Sequence, residues 1–193
     1  MHSSATSQVV LVDLDDRAIG TEEKLRAHTL GTLHRAVSVF ASDTTGALIV
    51  QQRALSKYHS GGLWSNAACT HPQPGEPPLM AAERCLREEL GVSTVLSPAF
   101  RFRYWAAVPP GLIEHEYDHV FVGVVTSVPR PVPEEVIAWR AVLPDELARE
   151  IGEQPETFTA WFRLALPLFQ RRGHSSTQSE SAFYDTMPAA PTT

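Results

Sequence analysis

Hydrophobic and polar positions change their period several times along the chain, and each change predicts an element. Apolar runs at residues 36–40 and 47–52 flank a Ser-Asp-Thr-Thr-Gly stretch, which predicts a β-hairpin. Residues 54–62 show no period and read as a loop. Pro77 and Pro78 stand where a helix can begin, because a first-turn amide has no intrahelical acceptor to lose. Leu79, Ala82, Leu86 and Leu90 follow at three- and four-residue intervals, giving that helix one apolar face, and Gly91 ends it. Strand-like stretches come next at 92–96, 99–107, 116–126 and 136–142, with Pro-Pro-Gly at 109–111 as a turn. Residues 145–151 and 158–169 return to helical spacing. Strands interleaved with helices predict an α/β or α+β sandwich.

The two ends break from this pattern. Residues 1–8 are short and polar and read as a disordered leader. Residues 171–193 form a polar tail expected to be disordered, in which only Phe183 and Tyr184 could dock. One domain, 9–170, lies between them, with neither repeat nor linker and enough length to bury a core. Its 43% hydrophobic and 20% charged content is that of a globular protein. No run approaches the roughly 18–20 apolar residues of a membrane helix, so no membrane partner is expected. A net charge of −6 argues against nucleic acid. It still permits a small anion, which needs only a few placed cations or a divalent metal. Cys69 and Cys85 are too few for a disulfide framework, and residues 1–8 hold no apolar signal core, so a cytoplasmic setting is expected.

Candidate chemistry concentrates in three histidines and two carboxylates: His28, His34, His71, Glu114 and Glu116. Imidazole nitrogens with carboxylate oxygens suit Mg²⁺, Mn²⁺ or Zn²⁺. Glu114 and Glu116 are two apart, so on a strand they share a face and could share one ion; solvent-facing carboxylates alternate in the same way. Cys69 lies in Trp-Ser-Asn-Ala-Ala-Cys-Thr-His-Pro at 64–72. A buried cysteine is usually a small hydrophobe, whereas one beside a histidine and a metal can be tuned for proton transfer. Lys24, Arg53 and Lys57 suit either a solvated surface or an anion, and Trp161 suits either a core or a cation.

The stretch 64–72 resembles the signature of the type I isopentenyl-diphosphate isomerases. Leu-His-Arg-Ala-Val-Ser-Val-Phe at 33–40, Arg-Ala-Leu-Ser-Lys at 53–57 and Glu-His-Glu-Tyr-Asp-His-Val-Phe at 114–121 resemble further blocks, in the family's order. The similarity covers residues 20–170. Glu76, Arg84, Leu86, Glu88, Glu89, Gly91 and Val92 resemble a degraded Nudix box. Cys85 stands in it where diphosphate-cleaving members carry a metal-binding glutamate, and Thr70 replaces its leading glycine. Losing that carboxylate weakens the expectation of hydrolysis.

This resemblance implies a Nudix-like α/β/α sandwich around a mixed sheet. It also implies interconversion of isopentenyl and dimethylallyl diphosphate, by protonation and deprotonation through a carbocation-like intermediate. His28, His34, His71, Glu114 and Glu116 would hold Mn²⁺, Mg²⁺ or Zn²⁺. Glu89 and the carbonyl of Cys69 would hold a substrate-bridging Mg²⁺, and Lys24, Arg53 and Lys57 would meet the prenyl diphosphate. Cys69 and Glu116 would flank the isoprenoid chain, with Tyr104 hydrogen-bonded to Glu116 and Trp161 near the reacting carbons. Three positions depart from the family pattern. The interval from His28 to His34 is one residue shorter than in a bacterial pattern, Cys85 replaces a common arginine, and Trp105 follows Tyr104 where arginine is common. They suggest a second reading, a paralogue that takes a longer prenyl diphosphate or diverts the cation, for example to cyclisation. A Nudix diphosphate hydrolase is a third reading, and an inactive Nudix-fold binding module a fourth.

Overall fold

The computed structural model describes residues 7–173 and 182–186. Strand β1 (Gln8–Val12) pairs antiparallel with β2 (Ala18–Glu23), which leads into helix α1 (Lys24–Leu30). The apolar pattern predicts none of the three. β2 is exposed along most of its length and so shows no alternation, and α1 has only seven residues. β1 begins at Gln8, inside the segment expected as leader; residues 1–6 lie outside the described residues. Local chemistry sets both ends of α1. The Glu23 carboxylate accepts the N–H groups of Leu25 and Arg26 at 3.0 and 2.8 Å, and Gly31 closes the helix at φ 64°. A Cβ at Gly31 would approach Ile113 to 3.0 Å, so backbone and neighbour both require glycine.

β3 (His34–Ser42) is the spine of the sheet. It meets β4 (Leu48–Arg53) in the expected hairpin, but only Ser42 and Leu48 pair. Beyond them the strands part. β4 joins β5 (Trp64–Ser65) and β9 (Val136–Val142). β3 runs parallel to β8 (Leu112–Val124), in a register from His34 opposite Glu116 to Ser42 opposite Val124. β6 (Ala68–Thr70) lies antiparallel on β3 and sets Cys69 opposite Ser38, while β7 (Ser97–Val108) is antiparallel to β8. The sheet is therefore mixed.

The remaining helices are α2 (Pro78–Leu90), α3 (Pro144–Glu153) and α4 (Ala160–Gly173). Alternation along β3 divides the core. Val37, Val39 and Ala41 cluster with Ala81, Ala82, Cys85, Leu86 and Leu90 of α2. Phe40 clusters with Phe100, Phe102 and Tyr104 of β7 and with Trp161, Phe162 and Leu166 of α4. Each large side chain so buried contributes roughly 1.5–3 kcal/mol before the cost of ordering it. The result is the expected α/β/α sandwich.

Two expectations are corrected. Residues 92–96 form no strand: Val92 and Leu96 bury against the α2 cluster, so this apolar run is explained by side-chain burial, not by pairing. Part of the tail expected to be disordered is ordered. Residues 171–173 complete α4, and β10 (Ala182–Asp185) pairs parallel with β7. There Tyr184 meets Phe100 edge to face at 5.8 Å, and Asp185 pairs with Arg103. Residues 174–181 and 187–193 lie outside the described residues. Among the described residues, no helix is long and apolar enough to cross a membrane.

Candidate active site

A cavity of about 880 Å³ is lined by Lys24, Arg53, Lys57, Cys69, His71, Glu89, Tyr104, Glu114, Glu116 and Trp161. These are all the expected site residues except His28 and His34, which are fully buried and reach the carboxylates Glu114 and Glu116. Strand register accounts for much of this convergence. His34 on β3 and Tyr104 on β7 both lie opposite Glu116 on β8, so three neighbouring strands place these side chains in one row. Glu114 follows on the same face of β8. The shortened interval before His34 does no harm, because the left-handed turn at Gly31 brings the His28 and His34 rings to 4.7 Å between centroids.

The histidines and carboxylates fall into two groups that share His28. His28, His34, His71 and Glu116 offer ligand atoms within 4.8 Å of one another, and so do His28, His59 and Glu114. Glu114 thus sits apart from the set expected to include it, facing His28 at 3.6 Å and His59 at 3.1 Å. Tautomers follow from the outer partners. His28 Nδ1 lies 2.7 Å from the Lys24 carbonyl and His34 Nδ1 lies 2.8 Å from the Thr32 carbonyl. A carbonyl only accepts, so each Nδ1 carries the proton and each Nε2 of the neutral ring turns a lone pair inward. His34 Nε2 and His71 Nε2 stand 3.2 Å apart, and His71 Nε2 is 2.8 Å from Glu116 Oε1. Converging imidazole lone pairs and carboxylate oxygens fit a divalent cation.

Electrostatics within the cavity are uneven. Burial opposes ionisation of Glu116, but the hydrogen bond and charge of His34 outweigh it and hold its carboxyl down at about 2. Burial pushes the Cys69 thiol up to about 12, with Arg53 pulling the other way. Burial lowers His59 to about 3 and takes His71 well below the usual imidazole range. Lys24 is lowered by burial and by its cationic neighbours Lys57 and Arg53.

Arg53 ties several parts of the cavity together. Its guanidinium lies 3.7 Å from Cys69 Sγ and 5.1 Å over the Trp161 ring, and it donates to the carbonyls of Ser60 and His59 at 3.2 and 3.4 Å. Lys57 forms a close ion pair with Glu135, and Lys24 lies over the Tyr58 ring. Glu89 Oε2 accepts from Gln51 Nε2 at 2.7 Å, and burial raises its pKa. Trp161 donates its indole N–H to Asn66 Oδ1 at 3.1 Å. Arg84 is held by Glu76 and Glu88.

The two residue departures part company. Cys85 lines the cavity, whereas Trp105 does not. Trp105 follows Tyr104 on β7 and so belongs to the opposite face of the sheet, which removes it as a reason to expect a different substrate size. Several cavity residues carry no periodic signal. Tyr58 and His59 lie in the segment read as a plain loop and Glu135 precedes β9, while Gln51, which does not line the cavity but holds Glu89, reads as an ordinary strand residue. Asp118 is equally hidden: 1% exposed, it accepts from Ser38 Oγ at 2.7 Å, and burial drives its pKa well above the usual range. Its position two residues past Glu116 on one strand face is the clue that the sequence offers.

Residues 32–162 match the NUDIX domain family. The chain is 50% identical over 154 residues to the "Isopentenyl-diphosphate Delta-isomerase" of Serratia proteamaculans (strain 568), covering 80% of this chain and 86% of the relative. It is 49% identical over 170 residues to the "Isopentenyl-diphosphate Delta-isomerase" of Streptomyces coelicolor (strain ATCC BAA-471 / A3(2) / M145), covering 85% of each. Among solved structures, DR0079 from Deinococcus radiodurans is similar with a TM-score of 0.71 at 20% identity, over 84% of this chain and 98% of that one. The MutT protein from Methanosarcina mazei Go1 gives 0.62 at 19%, over 74% and 96%. At these identities the structural likeness concerns the fold.

Proposed function

We propose that this chain, which belongs to the Nudix family and within it to the isopentenyl-diphosphate Delta-isomerases, interconverts isopentenyl and dimethylallyl diphosphate. The observation that carries the mechanism is one cavity lined by Cys69, Glu116, Tyr104 and Trp161. Isomerisation adds a proton to an unactivated alkene carbon and removes one from the carbon on the other side of the resulting cation. The two proton-handling groups are Cys69 and Glu116, flanking the prenyl chain. The reaction runs in both directions, so whichever group donates in one direction accepts in the other, and one proton serves the pair. Tyr104 donates to Glu116 Oε2 at 2.6 Å and fixes the carboxyl's orientation. Arg53, 3.7 Å from Cys69 Sγ, stabilises sulfur whenever it has given up its proton. Trp161, aimed by Asn66, faces the cationic carbons, an interaction worth about 2 kcal/mol in a dry site.

The diphosphate end falls to Lys24, Arg53 and Lys57. Arg53 forks onto phosphate oxygens and the lysines act as point charges, with Lys57 exchanging Glu135 for the substrate. His28, His34, His71, Glu114 and Glu116 would hold Mn²⁺, Mg²⁺ or Zn²⁺, and Glu89 with the Cys69 carbonyl would hold a substrate-bridging Mg²⁺. Such ions, when bound, supply positive charge that offsets the carboxylates and the diphosphate. Residues 9–170 are the catalytic domain. Free thiols at Cys69 and Cys85 suit a reducing cytoplasm.

Product analysis by NMR in D₂O, with isopentenyl, dimethylallyl and geranyl diphosphates each in the presence of Mg²⁺, tests this reading. Interconversion of the first two with deuterium uptake is expected, and a chelator should stop it. Turnover of geranyl diphosphate alone, or release of inorganic phosphate, would overturn it.

A further inference from the structure

We propose that His59 is a fourth imidazole ligand of the His/Glu metal centre, an inference that rests on the metal assignment made above. Each carboxylate of the centre has two imidazole nitrogens close by, both on one oxygen for Glu116 and one on each oxygen for Glu114. Glu116 Oε1 has His71 Nε2 at 2.8 Å and His34 Nε2 at 3.6 Å. Glu114 has His59 Nε2 at 3.1 Å on Oε1 and His28 Nε2 at 3.6 Å on Oε2. With metal–ligand distances of about 2.1 Å, adjacent donors in an octahedral shell lie about 3 Å apart, which is the spacing these pairs approach. His59 therefore has the same geometric claim as Glu114 itself.

One ion serves both groups if binding draws their donors inward. The ligand atoms of the two groups do not all lie within 4.8 Å of one another, whereas six donors at about 2.1 Å span about 4.2 Å. His28 belongs to each of them, and its Nδ1 is engaged by the Lys24 carbonyl. Only its Nε2 remains to bind, and that single lone pair binds a single ion.

His59 also shares the environment of His28 and His34, whereas His71 Nδ1 is buried without a partner. His59 is 6% exposed, and its Nδ1 rests 3.1 Å from Ser60 Oγ, as those of His28 and His34 rest on carbonyls. A polar partner on the second ring nitrogen is the usual mark of a metal-bound imidazole. Its loop is fixed as well. Ser60 turns in the left-handed region at φ 53°, and Arg53 binds the carbonyls of both His59 and Ser60. Four imidazoles and two carboxylates make six donors, which favours an ion that accepts six-coordination over tetrahedral zinc and leaves no open position for a substrate oxygen.

The test is to load wild type and His59→Gln, each with ¹⁵N-labelled histidine, with Mn²⁺ and to count coupled histidine nitrogens by pulsed electron paramagnetic resonance. Four in wild type and three in the variant are expected, with at least a tenfold weaker Mn²⁺ affinity by calorimetry. Circular dichroism controls for folding, and His59→Ala provides a second variant. Three nitrogens in both proteins would overturn the proposal while leaving the metal centre in place. Absence of histidine coupling in wild type would sink the centre itself, and with it this inference.

Discussion

The hydroxyl of Tyr104 donates to Glu116 Oε2 at 2.6 Å, and the two residues face each other directly across strands β7 and β8. Tyr104 is fully buried, so its O–H has no water to turn to. Tyr104→Phe keeps the ring and removes one hydrogen bond to a charged group, an interaction of about 1.5–3 kcal/mol. Turnover should fall by roughly 10- to 100-fold with the substrate KM little changed. Steady-state kinetics check this, and an unaltered kcat would show that Glu116 needs no such partner.

Cys69→Ala and Glu116→Gln should each abolish measurable isomerisation while leaving the circular dichroism spectrum intact. A positioned acid or base contributes roughly 10²–10⁴-fold, and here both are required in each turnover. Deuterium uptake from D₂O into isopentenyl diphosphate gives a direct readout. Near-normal uptake in either variant would remove that residue from the proton-handling pair.

Trp105→Arg should leave chain-length preference unchanged and shift kcat/KM by no more than about threefold, because the side chain lies on the sheet face away from the cavity. Competition between isopentenyl and geranyl diphosphates measures the preference. A switch toward either substrate would mean that the far face of β7 governs the pocket after all.

Asp16→Asn should destabilise the fold in a pH-dependent way. Asp16 accepts from Arg35 Nε at 2.7 Å and from His119 at 2.8 Å, which fastens the β1–β2 turn to strands β3 and β8. Burial raises its pKa, but His119 and Arg35 together lower it below the ordinary 3.8. A depressed carboxylate contributes stability above its unfolded pKa and loses it as pH falls through the native one. Asparagine tolerates the positive φ of 64° at this position, so the loss reports the charge and the one acceptor oxygen that the amide lacks, not backbone strain. Urea unfolding should show a deficit of about 1.5–3 kcal/mol at neutral pH that shrinks below the ordinary carboxylate range. A constant deficit from pH 7 to pH 3 would contradict this account.

Periodic elements and quoted motifs are legible in the sequence, and short or aperiodic ones are not. α2 declares itself through Leu79, Ala82, Leu86 and Leu90, which do bury or partly bury against the sheet. The Cys69 and Glu116 segments are legible because the residue types around them resemble a family pattern, not because any period marks them. α1 is hidden because seven residues hold barely two turns, yet it supplies both Lys24 and His28. His59 is hidden because its loop gains order from the Arg53 side chain donating to the His59 carbonyl six residues on, a contact that no apolar period encodes. Residues 92–96 mislead for the converse reason: an apolar run reports burial, and burial does not require a ladder partner.

The parallel register of β3 and β8 sets His34 beside Glu116, although β4, β5, β6, α2 and β7 all intervene between them along the chain. During synthesis, a ribosome-bound chain that has just emitted β3, β6 and their histidines therefore still lacks both carboxylates. On the proposed assignment, an ion would gain its full ligand set only once β8 has paired with β3. A chain that ends before residue 114 would lack both carboxylate ligands of the centre, however well its earlier strands fold.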